Sequence, residues 1–344
     1  MKTLIAMSGG VDSAAAARLI LEEGDTAEGC TLCLCPTPDR KGGGDGDLAR
    51  AREVAASLGI PHRTLELTAD FHREIILPFC LEYTKGRTPN PCVECNRCFK
   101  LGRLYDYALA EGFDRLATGH YARILRTGGR YRLAKAKDPA KDQSYMLYRL
   151  REEQLSRLAF PLGELSKSEV RAIAQDAGLA VAAAKESQDI CFVQSGHYAA
   201  LVKEVLGSVP PEGNYVDAEG RVLGRHRGII HYTLGQHKGL GIALGRVRYV
   251  TRIDPQKNEV TLGDEEELYT KEVRLSHLHY IGERRSSPYR AAARLRYRQQ
   301  DEPVSVYPDG EGALLLFDRP QRAPTPGQSA VLYEGDLVLG GGVI

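Results

Sequence analysis

Long hydrophobic runs and an excess of one charge are both missing from this chain. No apolar segment approaches the roughly 20 residues that a membrane-spanning helix needs. The first residues lead directly into a short apolar segment rather than a signal peptide. Lysine and arginine number 46 against 45 aspartates and glutamates, so the formal net charge is +1. We therefore expect a cytoplasmic protein that does not bind membranes, and any nucleic-acid surface must be local.

The length and the cysteine content further restrict the class of protein to which this chain can belong. A chain of 344 residues suits two or three domains, each with its own core. Eight cysteines are present, and a reducing cytoplasm disfavours structural disulfides. These thiols are therefore predicted to serve metal, redox or nucleophilic chemistry, or simply to pack in the core.

Two common phosphate-binding signatures are absent, namely the Walker lysine and the dinucleotide G-x-G-x-x-G spacing. Instead, SGGVDS (8–13) lies between a predicted strand, Leu4–Met7, and a predicted helix, Asp12–Glu23. Backbone N–H groups at a helix start bind anions. Without the lysine, the loop must hold phosphate with amides, hydroxyls and a metal ion. It resembles the loop of enzymes that split ATP into AMP and pyrophosphate, and the alternative is an ordinary strand–turn–helix corner.

Alternating strand and helix patterns over residues 1–195 predict an α/β fold with a doubly wound, mostly parallel sheet. Ligands bind at the carboxyl ends of such strands, where SGGVDS and ATGH (117–120) would both lie. A loop is predicted at 36–47, and a capping box at Ser166–Glu169 begins another helix. A small central domain is predicted over 196–265, and short strands over 266–344 predict a β-barrel.

The segment TPNPCVECNRC (88–98) holds three cysteines spaced three residues apart. Its prolines predict a loop, with Cys98 in the first turn of a following helix. Cys95, just before that helix, would then be a thiolate of lowered pKa. A zinc site shared with Cys30, Cys33 and Cys35 is the alternative. The alternation of Cys33 and Cys35 with leucines favours packing instead.

A further cysteine, Cys191, lies in ESQDICFVQ, between polar and apolar residues. It is either a core residue or a second reactive thiol. An ATP loop together with two separated cysteines indicates activation by adenylation, followed by attack of a sulfur nucleophile.

An ordered series of motifs resembles the tRNA-specific 2-thiouridylases. The motifs are SGGVDS (8–13), TPNPCVECN (88–96), ATGHYAR (117–123), KDQSYMLY (141–148), PLGELSKSEVR (161–171), SQDICFV (187–193), YTLGQHKGLGI (232–242), RYRQ (296–299), TPGQSAV (325–331) and LGGG (339–342). The resemblance implies that ATP, with Mg²⁺, adenylates the C2 oxygen of a wobble uridine in tRNA. A persulfide on Cys191, supplied by an upstream donor protein, would then replace that oxygen. Cys95, as nucleophile, would assist sulfur release and end in a disulfide with Cys191.

The resemblance also implies binding residues. Those for ATP are Ala6, Met7, Ser8, Gly9, Gly10, Val11, Asp12, Ser13, Leu32 and Gly119. Those for tRNA are Asn90, Pro91, Cys92, His120, Lys141, Asp142, Gln143, Arg296, Tyr297 and Gln328. The basic stretch RLRYRQ (294–299), with its tyrosine, suits contacts to RNA, although a solvated strand face would explain it as well.

One position departs from many members of the family. Cys92 stands where they have an acidic residue, and a thiol does not replace a carboxylate at the same pKa. An alternative mechanism therefore has Cys92, Cys95 and Cys191 bind an iron–sulfur cluster. Two other functions compete: a metal-stabilised tRNA-binding protein without catalysis, and a different ATP pyrophosphatase, which would need neither the cysteine pair nor the terminal barrel.

Overall fold

The computed structural model describes residues 1–35, 45–179, 181, 190–193 and 198–344. Within them, the α-helices are α1 (Val11–Glu22), α2 (Asp45–Ser57), α3 (Thr68–Phe71), α4 (Leu77–Thr84), α5 (Pro91–Cys95), α6 (Leu104–Ala110), α7 (Glu152–Leu155), α8 (Lys167–Asp176) and α9 (Tyr198–Leu206). Two π-helical segments, His72–Ile76 and Asn96–Arg103, join α3 to α4 and α5 to α6. None of these helices is long and apolar enough to cross a membrane.

A parallel sheet forms the N-terminal part, as the alternating pattern predicts. Its strands are β1 (Lys2–Ala6), β2 (Thr26–Cys33), β3 (His62–Glu66), β4 (Arg115–Ala117) and β7 (Leu158–Ala159), in the order β3-β2-β1-β4-β7. Each neighbouring pair is parallel. Because β2, β1 and β4 are adjacent, the segments after Cys33, Ala6 and Ala117 meet at one edge. The predicted capping box is also present, with the Ser166 Oγ accepting the backbone N–H of Glu169.

A four-stranded sheet forms the central part. It contains β8 (Gly213–Val216), β9 (Val222–His226), β10 (Tyr249–Asp254) and β11 (Glu259–Gly263) in the order β10-β11-β8-β9. The alternating apolar residues of these strands bury a compact cluster around Tyr215 and Tyr232.

The C-terminal strands close into the predicted barrel. They are β12 (Tyr269–Tyr280), β13 (Tyr289–Arg294), β14 (Glu302–Asp309), β15 (Gly312–Arg322), β16 (Ser329–Glu334) and β17 (Leu337–Val343). Their order is β12-β15-β14-β13-β16-β17, and β12 also pairs with β17. A hairpin of the N-terminal part, β5 (Ala122–Thr127) and β6 (Arg130–Lys135), extends this sheet where Ala134 pairs with Leu337.

Two local predictions are wrong. The cysteine segment is not a loop, because Pro91 is the first residue of α5, a position where a proline needs no N–H partner. Helix α2 already begins at Asp45, inside the loop expected over 36–47, whose residues 36–44 lie outside the described residues.

Candidate functional site

The SGGVDS loop carries its own hydrogen bonds at the start of α1. The Ser8 N–H donates to the Ser13 Oγ at 3.2 Å, and the Ser13 hydroxyl donates to the Gly10 carbonyl at 3.0 Å. The N-cap residue of α1 is Gly10, which has no side chain to cap the helix, so the first N–H groups keep their capacity for an anion. The loop thus has the donor set that phosphate binding requires.

A lysine reaches this loop from a distant part of the chain. The Asp12 Oδ1 accepts the Lys167 ammonium at 2.6 Å and the Tyr121 hydroxyl at 2.7 Å. Lys167 is the first residue of α8, and its side chain is 13% exposed. The cation that the loop's own sequence lacks is therefore supplied by the SKSEVR motif.

The ATGH turn lies directly against the loop. A Cβ on Gly119 would be 2.8 Å from the backbone carbon of Asp12, so only glycine allows this approach. The next residue, His120, shares a hydrogen bond of 2.7 Å between its Nδ1 and the Thr118 Oγ1. Burial, together with the charge of Lys100, lowers the pKa of His120 to about 3, so its imidazole is neutral at physiological pH.

An aromatic cluster joins the two cysteine segments. Phe71 is in edge contact with Phe99 and with Phe192, at centroid distances of 5.3 and 5.7 Å. Phe99 follows Cys95 by four residues, and Phe192 is the neighbour of Cys191. The same apolar cluster contains Cys95, with Cys191 packed against it. These rings bring cysteines that are almost 100 residues apart into one pocket.

Cys191 has the character of a reactive thiol. The Cys35 thiol donates a hydrogen bond to it, and Lys100 and the N–H groups of Cys191 and Phe192 act in the same direction. Against burial, these groups lower the pKa of Cys191 to about 7. A substantial share of this thiol is therefore ionised at neutral pH.

Cys95 has the opposite character, and the prediction of a lowered pKa is wrong. It is the last residue of α5, 7% exposed, and the π-helical segment continues directly from it, so Cys95 lies inside a continuous helix rather than at a helix N-terminus. Burial raises its pKa to about 12, despite the nearby charge of Lys100. Burial likewise raises the pKa of Cys92 and Cys98. Cys98 is the third residue of the π-helical segment and lies in its first turn as predicted, but this segment continues α5 without a break, so its start is not a free helix N-terminus.

Lys100, like Lys167, is a site residue that sequence reasoning missed. Burial opposes its charge, but Cys95, Cys191 and Cys92 outweigh that effect and raise its pKa. Its side chain remains exposed to solvent. Lys100 follows Cys95 by five residues, the spacing of one turn in a π-helix. The available signal was the pattern C-x-x-x-x-K, which indicates nothing without the π-helical turn.

Gly102 permits that turn. A Cβ at this position would be 2.4 Å from the carbonyl oxygen of Arg97, five residues earlier. A larger residue would therefore force the π-helical backbone to shift, and Lys100 with it.

Several residues predicted to contact tRNA meet between the cysteine helix and the barrel. The Gln328 amide donates to the Thr88 carbonyl at 2.8 Å, and the Asn90 amide lies 3.7 Å from the sulfur of Met146. Tyr297 packs against Tyr145, and its ring is near enough to Cys92 for that thiol to raise its pKa, although burial is the main cause. This group of residues therefore lies next to the cysteines of α5. Pro91 is buried as the first residue of α5.

Other predicted tRNA residues have protein partners. Asp142, whose side chain is 1% exposed, accepts the Arg294 guanidinium at 2.7 Å and thereby links the N-terminal part to the barrel. The Arg296 guanidinium donates to the Ala323 carbonyl at 2.8 Å. The Gln143 Oε1 accepts the Tyr121 N–H at 2.9 Å. Lys141 is half-buried in the turn before Asp142.

The two alternatives that involve a metal, a zinc site and an iron–sulfur cluster, both need a group of ligands among the described residues. In the parts of the chain that the structure describes, no three His, Cys, Asp or Glu side chains form a group that could hold one metal ion. Cys30 is buried in β2, and burial raises its pKa to about 12. The zinc interpretation of the cysteines therefore finds no support.

Three matches with known families cover the chain in sequence order. The tRNA methyl transferase HUP domain matches residues 1–195, the tRNA methyl transferase PRC-barrel domain 200–264, and the aminomethyltransferase beta-barrel domain 270–344. A protein of Acetivibrio thermocellus named tRNA-specific 2-thiouridylase MnmA is 45% identical over 354 aligned positions, which cover 100% of this chain and 99% of the relative. The chain belongs to the tRNA-specific 2-thiouridylase family.

A second 2-thiouridylase, from Desulforudis audaxviator, is 45% identical over 343 positions, covering 99% of this chain and 97% of the relative. Both alignments run through the ATP loop, the cysteine helix and the barrel. The resemblance drawn from the motifs is thus confirmed at the level of the family, as is the α/β fold followed by two β-rich parts.

Proposed function

We propose that this site adenylates the C2 oxygen of a wobble uridine in tRNA and replaces it with sulfur carried as a persulfide on Cys191. As a 2-thiouridylase, the chain is a tRNA-uridine 2-sulfurtransferase that uses ATP. The observation that carries the mechanism is the position of Lys100, which acts on His120 at the ATP end and on Cys191 at the sulfur end. The two half-reactions thus share one cleft.

In the first half-reaction, the α1 N-terminus and the hydroxyls of Ser8 and Ser13 hold the phosphates. Ala6, Met7, Leu32 and Gly119 line the position of the adenosine. Lys167 lies 2.6 Å from Asp12 and supplies the positive charge that stabilises the departing pyrophosphate. The Asp12 carboxylate and the serine hydroxyls are oxygen donors that suit Mg²⁺, which would neutralise phosphate charge.

The uridine must leave its stack to reach this cleft. Asn90, Pro91, Cys92 and Tyr297 would surround the base, and the neutral imidazole of His120 offers a hydrogen bond rather than a charge. The proposed tRNA surface is completed by Lys141, Asp142, Gln143, Arg296 and Gln328.

We assign the catalytic domain to 1–195, the central domain to 196–265 and the barrel to 266–344.

In the second half-reaction, the outer sulfur of the Cys191 persulfide attacks C2, and AMP leaves. An upstream protein with a persulfide of its own would load Cys191. The Lys100 ammonium stabilises sulfur anions at Cys191, since its charge already lowers the pKa of that thiol. Cys95 is the second thiol of the pair and, at neutral pH, is protonated.

The iron–sulfur alternative would need Cys92, Cys95 and Cys191 as ligands. These residues do not form a ready ligand group in the described chain, so no step is assigned to a cluster. Iron and acid-labile sulfide analysis of anaerobically purified protein tests this choice, and stoichiometric iron would favour the cluster mechanism.

The deciding experiment compares the Cys191→Ser variant with wild type on unmodified tRNA, ATP and a persulfide donor. We expect pyrophosphate release to continue while 2-thiouridine formation is lost. Cys98→Ser is the matched control, because that half-buried cysteine has no assigned role. Full thiolation by Cys191→Ser would refute the persulfide assignment.

A further inference from the structure

The loop between β15 and β16 (323–328) packs against the segment that leads into the cysteine helix. The Thr88 N–H donates to the Pro326 carbonyl at 2.8 Å. Gly327 follows with a positive φ of 92°, and a Cβ there would be 3.0 Å from the carbonyl carbon and oxygen of Thr88. The Gln328 amide donates to the same carbonyl at 2.8 Å. Three consecutive residues of the barrel loop therefore hold one residue of the N-terminal part.

The loop is itself fixed to the barrel. The Gly327 N–H donates to the Ile344 carbonyl at 2.8 Å. The Arg296 guanidinium donates to the Ala323 carbonyl at 2.8 Å and to the Thr325 hydroxyl at 3.0 Å. Both loop residues are buried. Because the loop is held near both ends, a change in its contact with the N-terminal part is transmitted to the segment before α5.

The central part holds the other side of this segment. A Cβ on Gly86 would be 2.7 Å from the Cγ2 of Ile253 in β10. The Thr88 hydroxyl donates to the Thr233 hydroxyl at 3.4 Å. The N-terminal, central and barrel parts of the chain thus meet at residues 86–88, directly before α5.

We infer that Gly327 is a positioning residue, whose close contact with Thr88 sets where Asn90 and Cys92 stand against the uridine. The inference rests on the proposed function, which places the base against these two residues, two and four positions after Thr88. The family resemblance gives a role in this loop only to Gln328. Reacting groups must be held in near-attack geometry, and a misplacement of 1 Å can cost about 100-fold in rate. The barrel then acts on the chemistry as well as on tRNA binding.

The Gly327→Ala variant tests this inference. Its new Cβ crowds the Thr88 backbone, so the loop and the segment must separate by a few tenths of an ångström. At saturating tRNA and ATP, we expect single-turnover pyrophosphate release and 2-thiouridine formation to fall together by about tenfold, since both need the base in place. The dissociation constant for labelled tRNA and its salt dependence, measured by fluorescence anisotropy, should stay as in wild type because no phosphate contact is lost.

The matched control is Gly335→Ala, in the turn between β16 and β17. Gly335 also has a positive φ, of 59°, but a Cβ there would meet no atom within 4 Å. The control therefore adds a left-handed alanine to the barrel without the contact, and both rates should stay as in wild type. Melting temperatures show that the two variants are folded in the assay, and alkylation of Cys191 shows that the sulfur end is intact.

A second variant, Gln328→Met, keeps the inference testable if Gly327→Ala fails to fold. It keeps a side chain of similar length but removes the amide that donates to the Thr88 carbonyl. We expect both rates at saturating tRNA to fall several-fold, whatever the effect on tRNA affinity. A change confined to the tRNA dissociation constant would assign Gln328 to tRNA alone and contradict the inference.

Wild-type rates in folded Gly327→Ala, or a loss confined to tRNA affinity, would overturn the inference. So would normal pyrophosphate release combined with slow thiolation, because a misplaced base must impair both steps. None of these results would affect the proposed function. That function fails by a different result, namely thiolation by Cys191→Ser.

Discussion

The ATP end and the sulfur end of the cleft handle positive charge in opposite ways. At the ATP end, Lys167 is paired with the Asp12 carboxylate, which also accepts the Tyr121 hydroxyl. At the sulfur end, the groups that raise the pKa of Lys100 are thiols, and two of them, Cys95 and Cys191, pack in the apolar cluster that contains the aromatic rings. When ATP binds, the ammonium of Lys167 can exchange its contact with Asp12 for a contact with phosphate. The ammonium of Lys100, which lies among thiols, instead changes which of these thiols is ionised. The same side-chain type thus organises a substrate at one end and a nucleophile at the other.

Removing Lys167 should give the largest effect and confine it to the ATP end. We expect Lys167→Met to slow pyrophosphate release by about 100-fold to 1,000-fold, the usual cost of losing one group that stabilises transition-state charge. A pyrophosphate assay with saturating tRNA measures this. Lys203→Met, on the exposed face of α9, is the control and should behave as wild type. Comparable rates for both variants would remove Lys167 from the mechanism.

The contrast between two thiols can be tested directly at the sulfur end. At pH 7.5, iodoacetamide should modify Cys191 faster than Cys95 by on the order of 100-fold, because a low pKa increases the thiolate fraction more than it reduces nucleophilicity. Time-resolved peptide mass spectrometry measures both rates. The rate at Cys191 should rise with pH around about 7 and then level off. Equal rates at the two cysteines would contradict the assignment.

Replacing Lys100 should affect mainly sulfur transfer, because burial is the larger cause of the low pKa of His120 and persists without the lysine. Lys100→Met removes a cation that favours the Cys191 thiolate, so the pKa of that thiol rises and its alkylation profile moves to higher pH. We expect thiolation at pH 7 to fall by about fivefold, because a rise of one unit from a pKa of about 7 lowers the thiolate fraction from about one half to about one eleventh. Lys100→Arg keeps the charge and should retain most of the activity. A profile that stays in place in Lys100→Met would show that the lysine does not tune Cys191.

Substituting Gly102 should have the smallest effect, since it moves Lys100 without removing it. The new Cβ of Gly102→Ala collides with the Arg97 carbonyl, and we expect a cost in stability of about 1–3 kcal/mol, typical of overpacking. Thiolation should fall several-fold while pyrophosphate release is retained. Gly46→Ala, in the exposed first turn of α2, meets only ordinary contacts and should be neutral in both assays.

Local sequence predicted the elements around the SGGVDS loop well, because each of them is formed by neighbouring residues. A strand, a glycine turn and a helix place SGGVDS, and the capping box at Ser166 places α8. What could not be predicted is that Lys167, 155 residues away, would complete the loop at Asp12. Such a pairing depends on the order of the strands in the sheet, and a short segment of sequence carries no information about that order.

The sulfur end was predicted less well, for a different reason. The sequence motifs locate the cysteines. The prediction of a loop, however, treats Pro91 as a helix breaker, although a proline is well suited to the first turn of a helix. The helix that it begins buries Cys95 and reverses the expected pKa shift. Burial in the cluster that contains Phe71, Phe99 and Phe192 raises the pKa of Cys95, and this burial arises only from tertiary packing.

The hairpin β5–β6 has a consequence for how this chain can be divided. Its strand β6 pairs with β17 of the barrel, at Ala134 and Leu337. A fragment cut after the N-terminal part would present β6 as an open edge, with backbone groups free to recruit another chain. We therefore expect such a fragment to self-associate, although its parallel sheet is intact. We therefore expect the barrel to protect the N-terminal part from aggregation by covering this edge.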